Sequence, residues 1–304
     1  MISIEHVSKA FGPVVALHDV SLQIARGERV AFVGSNGSGK TTLMRALLGL
    51  LRVQGNISIG GVDVAVQPER ALRAVAYIPQ ISPPLDAPVV EVVTAVAALR
   101  ALDPSVIAER SKRLGLDLSV VSRSRFRDLS GGMKQKLLAA LALATEADVL
   151  VCDEPTANLD ASARAAFFQM VDERKKGSVV ILCSHRVEEV RQLVDRVVEM
   201  RDGSVERDAT LAELLEDLRA FRVEVALREG TQAAETFLRA HGFVEMAPGR
   251  LGATFTQAEK MNVVARLLRD HKDAIADLSV FQTENLAISN AEGAAHAPRL
   301  RVVP

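Results

Sequence analysis

The most specific chemistry in the chain lies in the run Gly34-Ser35-Asn36-Gly37-Ser38-Gly39-Lys40-Thr41. It fits G-x-x-x-x-G-K-[ST], a phosphate-binding loop. Glycines at 34, 37 and 39 let successive backbone N–H groups turn inward as an anion nest. Lys40 supplies a positive charge for the β- and γ-phosphates of a nucleotide, and the Thr41 hydroxyl can ligate Mg²⁺. The run follows an apolar stretch, Arg29–Val33, and opens a helix predicted over Thr41–Leu50. That helix points its positive dipole end at the phosphates.

A second element is the stretch Ala147–Glu154, an apolar run that ends in two adjacent carboxylates, Asp153 and Glu154. Strand C-termini are where ligands bind in open α/β sheets, so this pair belongs beside the loop. Asp153 suits a Mg²⁺ ion held through water, and Glu154 a general base for an attacking water. The third element is Leu129-Ser130-Gly131-Gly132-Met133, followed by the helical run KQKLLAALALA. Its N–H groups form a second anion site at a helix start. A chain with one γ-phosphate to bind and two cradles suggests a head-to-tail dimer, each second cradle closing on the partner's nucleotide.

These residues need a parallel sheet to hold them. Short β-rich runs, Ile2–Val7, Val20–Ile24, Arg29–Val33 and Asn56–Ile59, alternate with turns at the start. Val149–Cys152 and Val179–Cys183 are continuously apolar and flank a helical pattern around FFQMVDERKK, which predicts a parallel sheet covered on both faces. Between them, residues 83–143 read as an Ala/Leu/Val helical subdomain. The cassette is expected to span 1–209. A small α+β unit follows over 210–290, where Phe221–Leu227, Gln232–His241, Gly242–Met246, Arg250–Phe255, Ala258–His271 and Ala276–Phe281 predict a β-α-β-β-α-β, ferredoxin-like order. Residues 291–304 read as a loose tail.

Bulk composition narrows the function. With 37 basic and 38 acidic residues, no Trp and 4% aromatics, the 304-residue chain lacks the basic face and stacking platforms of a nucleic-acid binder. No run reaches the roughly 18 apolar residues of a membrane span, and the N-terminus lacks a secretory layout. Membrane contact would therefore come through a partner. Cys152 and Cys183 read as buried thiols in adjacent core strands rather than a redox pair. His241, His271 and His296, with Met246 and Met261, match no metal-ligand spacing. The run Arg123-Ser-Arg-Phe-Arg127 reads as a solvated strip, with phosphate or lipid contact as its other reading.

Over about residues 1–207 the chain resembles the nucleotide-binding domain of ATP-binding cassette (ABC) proteins, with the motifs in that family's order. The resemblance implies a P-loop α/β cassette with a mixed sheet, a β-subdomain and a helical subdomain. It implies that Phe11 stacks on adenine, where the family more often has Tyr, and that residues 34–41 with Thr42 bind ATP. Gln80 would sense Mg²⁺ and the attacking water, and His185 would contact the γ-phosphate. Ser130, Gly131, Gly132 and Asp160 would reach the partner's nucleotide, although Asp160 also reads as a helix N-cap. Met133 stands where Gln is commoner, a replacement usual in some exporter-associated branches.

The resemblance further implies a cytoplasmic ATPase subunit, working as a homodimer on the inner membrane face with a separate integral membrane permease. Within that class the small C-terminal unit is similar to one that follows the cassette in drug, polysaccharide and cofactor-maturation exporters. Glu284–Ile288 departs from that pattern. Importers, lipoprotein-release ATPases, whose EPTANLD-like run resembles residues 154–160, and soluble non-transport cassettes are the alternatives.

Overall fold

The structure is a computed structural model, and it describes residues 1–184, 186–217, 219–228 and 230–284. The chain divides into two compact units, with the boundary between Ala209 and Thr210.

The first unit opens with two long antiparallel strands, β1 (Ile2–Phe11) and β2 (Val14–Ile24), joined by a tight turn that pairs Phe11 with Val14. Next come β3 (Arg29–Val33), α1 (Lys40–Leu47), β4 (Gln54–Ile59), β5 (Val62–Asp63), α2 (Pro68–Leu72) and β6 (Val75–Ile78). A helical segment follows: α3 (Val89–Arg100), α4 (Pro104–Arg113), α5 (Leu118–Val121) and α6 (Gly131–Ala144). The unit closes with β7 (Val149–Asp153), α7 (Ala161–Asp172), β8 (Val179–Cys183), α8 (Val187–Leu193), β9 (Arg196–Arg201) and β10 (Ser204–Thr210).

The strands form two sheets. One is antiparallel, in the order β2-β1-β4-β5; the other runs β10-β9-β3-β8-β7-β6. Within the second, β9, β3, β8, β7 and β6 are parallel neighbours. Every residue of β7 and β8 is buried, which is why these strands read as continuous apolar runs rather than as alternation. Leu43, Met44 and Leu47 of α1 join Ile2, Ile4, Leu17, Phe32 and Ile181 in one core between the sheets. Burying such aliphatic side chains contributes ~1.5–3 kcal/mol each. Cys152 and Cys183 are free and buried in adjacent strands, as their sequence context predicts. Desolvation pushes the Cys183 thiol up to about 12, so it is inert as a thiolate at neutral pH.

The helical segment has its own core of Val89, Ile107, Phe126, Leu137 and Leu141. The arginine strip is neither free nor simply solvated. Phe126 is fully buried, and the Asp86 carboxylate bridges Arg125 at 2.5 Å and Arg127 at 2.8 Å. With Phe126 N donating to Ala87 O, the strip fastens the end of the 79–88 connection onto the helices.

The second unit contains α9 (Leu211–Asp217), β11 (Arg219–Leu227), α10 (Gln232–Ala240), β12 (Val244–Ala247), β13 (Arg250–Phe255), α11 (Gln257–Asp270) and β14 (Ile275–Glu284). Its antiparallel sheet runs β12-β13-β11-β14, the strand order of a ferredoxin-like fold. Val223, Val225 and Leu251 pack against Leu238 of α10 and Val263 and Leu267 of α11. Thr256 and Glu259 form a reciprocal capping box at the start of α11. His241 bonds Phe237 O at 2.8 Å, and His271 stacks near the Phe237 ring. His296 and the tail reading fall on residues 285–304, outside those described.

Candidate nucleotide site

The phosphate loop bridges the C-terminal end of β3 and the start of α1. Gly39, the N-cap of α1, has φ 100° in the left-handed region. A Cβ there would also lie 2.6 Å from Ala16 O of β2, so conformation and space both require glycine. Gly34, with φ 143°, leaves equally little room, since a Cβ would collide with Met200 O. Gly203, in the turn after β9, braces the loop by donating to Ser38 O at 3.2 Å and accepting from His18 N at 2.9 Å. Residues 34–37 are exposed, whereas Ser38 and Gly39 are buried and Lys40, Thr41 and Thr42 are half-buried. Lys40 Nζ donates to Gly34 O and Ser35 O, both at 2.8 Å, and to Ser38 Oγ at 3.2 Å. The loop thus presents backbone N–H groups with a tethered ammonium among them.

Asp153 closes β7 opposite Cys183 of β8 and is only 4% exposed. Burial raises its carboxyl above the usual range, and the adjacent Glu154 adds to the rise. The Cys183 thiol, Arg45 and Lys40 act in the other direction. The loop follows β3 and Asp153 ends β7, strands of the same parallel sheet separated by β8. Glu154 has φ 49°, and its N–H donates to Cys183 O at 2.8 Å. A non-glycine residue in that region carries ~1–2 kcal/mol of backbone strain, here at the residue directly after the end of β7. Gln80 is exposed, two residues beyond the end of β6, the parallel neighbour of β7.

A hydroxyl and a carboxylate facing a triphosphate make an all-oxygen donor set that fits Mg²⁺, which takes few protein ligands and keeps phosphates and waters. Among the described residues no group of three or more His, Cys, Asp and Glu side chains forms a metal cage.

Phe11 is half exposed at the β1–β2 turn, with Lys9 Nζ 5.2 Å from its ring centroid. Its hairpin lies against the phosphate loop through the close approach of Ala16 to Gly39.

The second cradle is built differently. Ser130 caps α6, its Oγ accepting from Met133 N at 3.2 Å. This leaves the first-turn N–H groups of Gly131 and Gly132 without intrahelical acceptors. Ser130 and Gly131 are exposed, and a Cβ on Gly132 would lie 3.0 Å from Asn158 O. Among the described residues no hydrogen bond or ion pair joins residues 130–132 to residues 34–42. Asp160 is the N-cap of α7, accepting from Ala163 N at 2.8 Å, and it pairs with Lys136 at 2.7 Å. These two bonds, Lys136 foremost, hold its carboxyl below the usual range. His185 lies outside the described residues, directly after Ser184.

Four supporting residues escaped the sequence reading. Gln135 is buried and donates to Pro155 O at 2.8 Å, and Lys136 holds Asp160. Thr156 and Glu189 are buried against each other. Gln135 sits between Lys134 and Lys136, so no local pattern marked any of the four.

An α/β fold with a phosphate loop at one strand end and paired carboxylates at another defines the class of P-loop nucleoside triphosphatases. The family profile described as ABC transporter matches residues 17–157. Over 205 residues the chain is 35% identical to the zinc import ATP-binding protein ZnuC of Cereibacter sphaeroides, covering 65% of this chain and 78% of that one. It is 32% identical to the Nod factor export ATP-binding protein I of Cupriavidus pinatubonensis, covering 64% of this chain and 61% of that one. A solved ATP-binding subunit of an ABC transporter superposes with a TM-score of 0.65 at 28% identity, covering 70% of this chain and 91% of that one. The chain belongs to the ABC transporter family and is an ATP-binding, ATP-hydrolysing subunit.

Proposed function

We propose that two copies of this chain bind ATP between them and drive a separate integral membrane permease from the cytoplasmic face. The observation that carries this reading is the contrast between a loop braced within one chain and an exposed second helix N-terminus that, among the described residues, shares no hydrogen bond or ion pair with it. In each site residues 34–42 and Lys40 hold the phosphates while Phe11 covers the adenine. Thr41 and Asp153, with Gln80 at the edge, would hold Mg²⁺, which when bound neutralises phosphate charge. Glu154 accepts a proton from the attacking water, and His185 contacts the γ-phosphate. Ser130, Gly131, Gly132 and Asp160 complete the site from the other copy.

Closure depends on ATP bridging both chains, so hydrolysis and product release reopen the dimer. This differential affinity is what a permease converts into work. Among the described residues no helix is long and apolar enough to cross a membrane, consistent with a partner supplying the path.

For direction, export is the reading that the small C-terminal unit supports, through its likeness to the domain behind exporter cassettes. Import is the second reading, favoured by the identity to a zinc import ATPase. The test is recovery of tagged Glu154→Gln chain from detergent-solubilised native membranes with Mg-ATP present. Co-recovery of a multi-span protein supports the proposal, and that protein's sequence indicates cargo and direction. Recovery of soluble dimer alone, or of ribosomes, contradicts it.

A further inference from the structure

The segment Glu154–Asp160 carries the proposed base at one end and the proposed interchain Asp160 at the other. The structure pins it on two faces. On the α6 side, Gln135 holds Pro155 O and Lys136 holds Asp160. On the other side, the Thr156 hydroxyl donates to a carboxylate oxygen of Glu189 on α8. Thr156 is 0% exposed and Glu189 is 1% exposed. Arg186 Nε stands 3.7 Å from the same Glu189 oxygen, whereas the other oxygen, Oε2, is buried and has no hydrogen-bond partner among the described residues.

A buried carboxylate with one oxygen unsatisfied is a poor source of stability, because its desolvation is incompletely offset. An apolar side chain of similar size would fill the space at lower cost. What the carboxylate provides is a fixed point for Thr156. Glu189 lies four residues after His185 in the sequence, and Thr156 lies two residues after Glu154. The pair therefore ties the segment holding the proposed base to the helix that follows the proposed γ-phosphate contact.

We propose that Thr156 and Glu189 form a positioning pair for hydrolysis, setting where Glu154 stands relative to α8. This rests on the reading of Glu154 as base. The pair touches neither nucleotide nor water. It acts through backbone placement, where a shift of about 1 Å costs up to ~10²-fold in rate.

The test measures kcat, KM for ATP, binding of a fluorescent ATP analogue and Tm on the purified full chain. Thr156→Val keeps the shape and removes the hydroxyl; Thr156→Ser keeps the hydroxyl. Glu189→Leu removes the acceptor; Glu189→Gln keeps an oxygen for Thr156. Thr156→Val and Glu189→Leu are expected to lower kcat roughly 10- to 100-fold with analogue binding within about twofold. The double variant is expected to be no worse than the weaker single one, and Thr156→Ser and Glu189→Gln to keep kcat within about threefold of the parent. Should Glu189→Leu fail to fold, the Val and Ser variants at 156 carry the test alone. A lowered Tm with unchanged kcat in Thr156→Val, or independent losses in the double variant, overturns the pair. Glu154→Gln in the same assay separates the two readings: turnover retained there removes the base itself, whatever the pair does.

Discussion

Two glycine-bearing helix starts, at α1 and at α6, offer N–H groups to an anion, and the chain finishes them to different degrees. At α1 the loop is wedged by Ala16, Met200 and Gly203 and supplied with a lysine, and Asp153 ends β7, two strands away in the same sheet. At α6 Ser130 and Gly131 are exposed, Gly132 is half-buried, and the 155–160 segment of the same chain lies behind them. A helix N-terminus alone attracts anions weakly. In the proposed reading the first start is the phosphate site of its own chain and the second completes the site of another copy.

Three variants probe the two starts and the proposed base. Lys40→Ala removes the charge from the complete site and is expected to weaken ATP binding by one to two orders of magnitude, at about 1.5–3 kcal/mol for a charge-assisted bond. A binding titration that finds parental affinity would break the comparison. Glu154→Gln is expected to keep ATP binding while turnover falls ~10²–10⁴-fold. Ser130→Arg should leave binding to the monomer unchanged and abolish turnover; hydrolysis that survives would assign the second start no part in the site.

Asp153 gives a smaller effect, with a sign set by its environment. Burial raises its folded pKa above the ordinary 3.8, so its contribution to stability is fully present below that value and is lost as pH rises through the folded pKa. Asp153→Asn should therefore raise the apo Tm at pH 7, with the gain closing as pH falls towards 4. A gain that grows on acidification would contradict the direction. Smallest of all, Thr256→Ala in the second unit removes a capping box and should cost about 1 kcal/mol while ATPase rates stay unchanged.

Legibility tracked the range of the interactions. The phosphate loop, Arg29–Val33, Val179–Cys183 and Arg250–Phe255 were readable to the residue, because local turn chemistry and apolar patterning define them. The strands Val75–Ile78 and Arg196–Arg201 were not, the first being four residues long and the second interleaved with charge. Both are strands because the parallel sheet supplies neighbours, β7 for one and β3 for the other. At the site, motif order placed Gln80, Asp153 and Ser130, whereas the Gln135, Lys136 and Thr156–Glu189 anchors arise from pairings 20 to 33 residues apart. No local pattern announces these. The arginine strip shows the same limit, since Asp86 lies 39 residues from Arg125.

The central claim is that the second start completes the site of another copy. Its most direct test is the mass in solution of the Glu154→Gln chain, 32.7 kDa as a monomer, with and without Mg-ATP. The account predicts a shift to dimer mass when Mg-ATP is added, and loss of that shift when Ser130→Arg is introduced as well. An ATP-bound chain that stays monomeric, or a dimer indifferent to Ser130→Arg, would contradict it.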